Sequence, residues 1–135
     1  MSDAVVSRPG EGEPLESEDR ELLVKAVRPE LDFLEYDVGP GYDGPGPHYH
    51  ERHVDLFYVL EGELEFTLAG EIVRAAAGTC VLVPPRVVHA FTNPGPGRAR
   101  FLNVHAPETG FVDYLRARDR GEDVDPAKFD VHDVD

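Results

Sequence analysis

The chain has 135 residues, with 13 Lys and Arg against 27 Asp and Glu, a formal net charge of -14 at pH 7. That length suits one domain with one core, and the acidity argues against nucleic acid or an anionic membrane as partner, since both would repel it. No apolar run approaches the roughly 20 residues of a membrane helix, no basic-then-apolar secretion signal opens the chain, and the single cysteine, Cys80, excludes an internal disulfide framework, so a reducing cytoplasm is the expected compartment.

The acid is concentrated at the ends. Residues 1–21 carry seven acids against Arg8 and Arg20, and residues 119–135 carry seven against Arg120 and Lys128. Such ends read as solubilising segments. The expected organisation is an acidic N-terminal segment over 1–20, a barrel over 21–107, and a C-terminal helix with an acidic tail over 108–135.

Between the ends the pattern is β. Leu22–Val27 reads as a strand, and Arg28-Pro29-Glu30 turns it into Leu31–Val38, where Asp32, Leu34 and Tyr36 share one face. A Gly- and Pro-rich loop follows over 39–47. Leu56–Leu60 is a strand by its β-branched and aromatic content. Gly62 bends the chain into the alternating Glu63–Leu68, and Ala69-Gly70 is a hairpin turn before Glu71–Arg74. Thr79–Val83, Val87–Thr92 and Arg98–His105 complete the set. Short strands with turn signals at this spacing predict an all-β fold, an antiparallel jelly-roll barrel. Phe111, Tyr114 and Leu115 form the one helical stripe, and 111–120 is predicted as a short helix stopped by Gly121 and laid across an open side of the barrel.

Histidines carry the chemistry. His48 and His50 lie two apart, so on a strand both imidazoles point to one face. Asp55 follows five residues later. A second segment, Gly78 to Asn93, ends a strand at Pro84-Pro85 and brings in His89 on the next. Inward-facing His48, His50, His89 and Asp55 make a nitrogen and oxygen site for one divalent transition metal ion: Fe, Mn, Ni, Co or Zn. Three or four protein ligands leave coordination positions for water or substrate. Phe57 and Phe91 lie two steps from Asp55 and His89 and share their inward face; His105 is placed to line the same pocket, and Arg86, beside the mouth, to clamp an anion. Glu51 and His53 are expected at the surface, Cys80 as a small buried hydrophobe, and Asn93 as a turn-holding side chain.

These residues resemble the cupin family. Its second motif, G-x5-P-x-G-x2-H-x3-N, is matched at Gly78, Pro84, His89 and Asn93; its first, G-x5-H-x-H-x3–4-E-x6-G, at His48, His50 and Gly62, with Asp55 at the acidic position. Fifteen residues separate Gly62 from Gly78. The resemblance spans about residues 20–107. Arg86 stands where the second motif has Gly, and Tyr42 where the first opens on Gly. The resemblance implies a small β-barrel, commonly a homodimer, with the metal inside the barrel mouth. Aspartate is one methylene shorter than the usual glutamate, so Asp55 is expected to orient a histidine rather than to reach the ion.

The expected function is that of a metal-binding single-domain cupin acting as a dioxygenase- or isomerase-like enzyme on a small organic substrate. The stretch Pro107–Phe111 resembles the tail of quercetinase-like cupins. The alternative is a cupin that binds a small molecule as a sensor without catalysis. A metal-free storage module fits the histidines least.

Overall fold

A computed structural model of the protein describes residues 3–134. Eleven strands run in chain order: β1 (Glu13–Ser17), β2 (Arg20–Arg28), β3 (Leu31–Val38), β4 (His48–Tyr49), β5 (Val54–Glu61), β6 (Glu63–Leu68), β7 (Glu71–Ala76), β8 (Cys80–Val83), β9 (His89–Thr92), β10 (Ala99–Ala106) and β11 (His132–Asp133). One helix, α1 (Phe111–Asp119), and a 3-10 turn at Pro126–Phe129 lie between β10 and β11.

The strands form two antiparallel sheets. One has the order β1-β2-β3-β10-β5-β8, the other β11-β4-β9-β6-β7. The jelly-roll architecture predicted from the turn spacing is the fold observed. Alternation decides what each strand buries: in β3, Asp32, Leu34, Tyr36 and Val38 point inward, and in β10 Ala99, Phe101, Asn103 and His105 do. Leu34, Val59, Leu64, Phe66 and Phe101 are fully buried. Tyr36 stacks on Phe101 with ring centroids 4.7 Å apart, and Phe57 meets Phe66, Phe91 and Phe101 edge-on or tilted. Burial of this aromatic cluster contributes on the order of 2 kcal/mol per ring.

Gly62 sits between β5 and β6 at φ +77°, and a Cβ there would lie 2.5 Å from the carbonyl oxygen of Arg98. Only glycine permits both that backbone conformation and that approach. Asn93 closes the neighbouring loops: its Nδ2 donates to the carbonyls of Val38, Gly39 and Gly97, and its Oδ1 accepts from the Gly95 amide.

Three local expectations are corrected. Cys80 is exposed, because β8 alternates with Val81 and Val83 inward and Cys80 and Leu82 outward. The acidic stretch before residue 20 contains a strand: β1 pairs with β2 from Glu13↔Val24 to Ser17↔Arg20. The tail adds β11, which pairs with β4 through His132↔Tyr49 and Asp133↔His48. Helix α1 buries Val112, Tyr114, Leu115 and Ala117, and its Phe111 ring stacks on His105 at 3.9 Å. None of the described helices is long and apolar enough to cross a membrane.

Candidate metal centre

Three strands bring the motif residues together. Strand β4 carries His48 and leads into His50; β9 opens on His89, which is the cross-strand partner of His48. Asp55 comes from the opposite sheet, on β5, inward-facing like Phe57. All four side chains are buried: His48 5%, His50 2%, Asp55 3% and His89 1% exposed. One ligand-capable atom from each lies within 4.8 Å of the others.

The tautomers follow from hydrogen bonding. His48 Nδ1 donates to the Gly46 carbonyl (2.8 Å), His50 Nδ1 to the Asp130 carbonyl (2.7 Å) and His89 Nδ1 to the Val87 carbonyl (2.9 Å). A carbonyl only accepts, so each ring carries its proton on Nδ1 and a neutral ring presents a bare Nε2 lone pair. His50 Nε2 and His89 Nε2 lie 3.2 and 3.0 Å from Asp55 Oδ2. Lone pairs facing a carboxylate at that range repel unless a cation sits among them. Separations near 3 Å are also those between neighbouring ligands of one ion with bonds of about 2.1 Å. The donor set, neutral imidazoles plus a carboxylate, suits a divalent transition metal.

The electrostatics agree. Burial opposes the charge on Asp55, but the His105, His50 and His89 rings outweigh it and hold its carboxyl well below the usual range. Burial works against a charge on His50 too, yet Asp55 and the Asp130 carbonyl turn the balance and raise its pKa. His48 is pushed down to about 4 by burial and by neighbouring His89. At neutral pH, therefore, His48 is ready to donate a lone pair and Asp55 to supply a full negative charge.

Residues 34–105, just over half of the chain, match the Cupin domain family. The chain is a cupin.

Among known proteins it is 31% identical over 85 residues to quercetin 2,3-dioxygenase of Bacillus subtilis, covering 61% of this chain and 25% of that one. The cupin thus spans about a quarter of that relative's length. KdgF from Halomonas superposes with a TM-score of 0.70 at 21% identity, over 83% of this chain and 99% of that one. Streptomyces Pac13, described as a nucleoside dehydratase, gives 0.62 at 22% identity, over 79% and 83% of the two chains. At these identities the two structures speak for the fold.

An open cavity of about 960 Å³ reaches the centre of this cupin, with His48, Asp55 and His105 at its inner end. Phe57 and Phe91, expected in the pocket, line it, as do Tyr36 and Phe111. Arg86 does not: it is exposed, in a left-handed turn conformation (φ 70°), with its amide bonded to the His50 carbonyl at 2.7 Å, because the Pro84-Pro85 turn carries it outside the mouth. The cavity's cations are instead Arg20 and Arg118. Arg20 is 8% exposed and its Nε has no hydrogen-bond partner among the described residues, while its Nη2 donates to Asp119 at 2.7 Å.

A second buried polar group lies beside the first. His53, expected at the surface, is 1% exposed; its Nδ1 donates to Asp130 Oδ2 (2.7 Å) and its Nε2 meets His105 Nδ1 at 2.8 Å. His105 in turn bonds Asn103, and Asn103 Nδ2 donates to Asp55 Oδ1 at 2.6 Å. Asp130 lies 77 residues from His53 in sequence, so no local pattern marks the pair.

Proposed function

We propose that this cupin is a metal-dependent enzyme of the dioxygenase or isomerase class, acting on a small organic molecule in its cavity. His48, His50, His89 and Asp55 hold one divalent ion. The observation that carries this reading is the convergence of three histidine Nε2 atoms, each with its Nδ1 already committed to a carbonyl, on one buried carboxylate. Asp55 is read as a direct ligand, in place of the orienting role expected from its shorter side chain, because Oδ2 already lies among the Nε2 atoms while Asn103 holds Oδ1.

A bound ion supplies Lewis acidity and, if redox-active, a site for dioxygen. The chain supplies the rest. Tyr36, Phe57, Phe91 and Phe111 offer ring faces to a flat substrate. His105, neutral because burial pushes its pKa down to about 3, presents a polar edge at the inner end. The rim carries Glu16, Asp43, Asp119, Glu122 and Asp123 against Arg20 and Arg118. That balance disfavours polyanions and favours a neutral ring compound with adjacent hydroxyl or keto oxygens. The resemblance to quercetin 2,3-dioxygenase supports the same class of substrate. Pairing of two copies belongs to this reading, supported by the exposed Tyr58 and Leu82 beside edge strand β8.

The test is oxygen uptake by chain loaded in turn with Fe(II), Mn(II), Ni(II) and Co(II), against flavonols, catechols and enediols. Metal-dependent turnover of one class is the expected result. Tight binding of such compounds without oxygen uptake or isomerisation would favour the sensor reading.

A further inference from the structure

We propose that Asp130, in the C-terminal segment, is a positioning residue of the metal centre. The inference rests on the reading above that His48, His50, His89 and Asp55 hold a divalent ion. Asp130 is fully buried and follows the 3-10 turn Pro126–Phe129 in a left-handed conformation, φ 59°. Its side chain and main chain both grip the loop between β4 and β5. Oδ1 accepts from the Glu51 amide (2.9 Å) and from His132 Nε2 (3.0 Å); Oδ2 accepts from the Arg52 amide (2.8 Å) and from His53 Nδ1 (2.7 Å). The main-chain carbonyl accepts from His50 Nδ1 at 2.7 Å.

The consequence is specific to His50. The carbonyl bond selects the tautomer that leaves Nε2 bare, and the carboxylate fixes the backbone that sets the ring's direction. His48 and His89 are each oriented by a carbonyl two residues away in their own segment. His50 alone of the three depends on a residue 80 positions distant. The tail is seated by β11 on β4, by the Val134 amide on the Pro47 carbonyl (2.9 Å), and by His132 stacked on Tyr49. Tail docking and metal binding should therefore be coupled, and coupling is reciprocal: if the docked tail tightens the metal, the metal must tighten the tail.

Zn(II) affinity of full-length wild type and Asp130→Asn, measured by chelator competition, tests this. Asparagine tolerates the left-handed backbone, but its Nδ2 is a donor set against two of the four N–H groups that the carboxylate accepts from. The metal-free variant is therefore expected to unfold at a lower temperature than wild type, and its affinity is measured where circular dichroism shows it folded. Its Zn(II) affinity is expected to fall about 10–100-fold. The second arm uses wild type alone. Zn(II) should slow amide exchange at Val131 and Val134 in the tail, whose amides bond the Pro126 and Pro47 carbonyls, beyond any change in the distant β6–β7 hairpin, an effect far from the ligands in sequence that a tail uncoupled from the metal would not show. If the variant binds Zn(II) as wild type does, or if Val131 and Val134 respond no more than the hairpin, the inference falls. If the variant does not fold, the exchange arm decides. Wild type that binds no Zn(II) would overturn the metal reading itself, and this inference with it.

Discussion

Replacing Asp55 by alanine is expected to remove tight metal binding as completely as removing a histidine. Loss of an outer partner that only orients a ligand costs about 10–100-fold in affinity, so a direct ligand should cost more than about 100-fold. Two features of the site argue for the larger number. Asp55 Oδ2 lies 3.2 and 3.0 Å from His50 Nε2 and His89 Nε2, the ring atoms that the Nδ1–carbonyl bonds leave free to face an ion. Its charge is maintained despite burial, because the surrounding rings hold its carboxyl well below the usual range. The shorter side chain is accommodated by the fold: Asp55 sits within β5, opposite Val83 and His105, where the backbone is fixed on both sides. The measurement is Zn(II) competition with Asp55→Ala, alongside circular dichroism to confirm that the sheets persist. A loss of only about tenfold would return Asp55 to the orienting role its length first suggested.

A second large effect is expected at Asp32, in stability rather than in binding. Asp32 points inward on β3 and is fully buried, and among the described residues neither carboxylate oxygen has a hydrogen-bond partner of ordinary geometry; the His105 amide gives partial relief. Burial, with Glu108 and Asp55 nearby, pushes its pKa up from 3.8 to about 7. Below 3.8 the folded and unfolded chains are both protonated and there is no penalty. From there to about pH 7 only the folded chain keeps the proton, so stability falls as pH rises. Above that the penalty is complete, up to about 4 kcal/mol. His48 and His105, with lowered pKa values, act in the opposite sense: they stay neutral when folded and cost stability as pH falls below 6.5. Comparing Asp32→Asn with wild type isolates Asp32 from them. In metal-free protein the variant's advantage should grow from pH 4 to pH 8, reaching about 1–3 kcal/mol, since a buried amide also lacks full partners. A difference that does not change with pH would show that Asp32 is not protonated in the fold.

The centre was legible in the sequence to the extent that its chemistry is local. His48 and His50 announce themselves by spacing, His89 and Asn93 by their place after Gly78 and Pro84, and the inward set Asp32, Leu34 and Tyr36 by alternation. Cys80-Val81-Leu82-Val83 offered no such guide. All four residues are apolar enough for either face, so only the pairing of β8 with β5 decides that Val81 and Val83 go in. Arg86 looked close to the mouth in sequence, but a tight Pro-Pro turn changes direction within one residue. The largest omission was the tail. Its acids read as solvated charge; Asp119 instead pairs with the buried Arg20, and Asp130 is buried because the chain returns to the β4–β5 loop after more than 75 residues. Charge pattern cannot report such a return. His53 was misplaced for the same reason, since its burial depends on that carboxylate.

The central claim, that His48, His50, His89 and Asp55 together hold a divalent ion, is tested most directly by metal stoichiometry at neutral pH. Wild type and the double variant His48→Ala with His50→Ala are stripped with chelator, titrated with Zn(II) and analysed for bound metal after gel filtration. The account predicts one equivalent retained by wild type and none by the double variant, with both showing the same β-sheet circular dichroism. One equivalent retained by the double variant at wild-type affinity would contradict it.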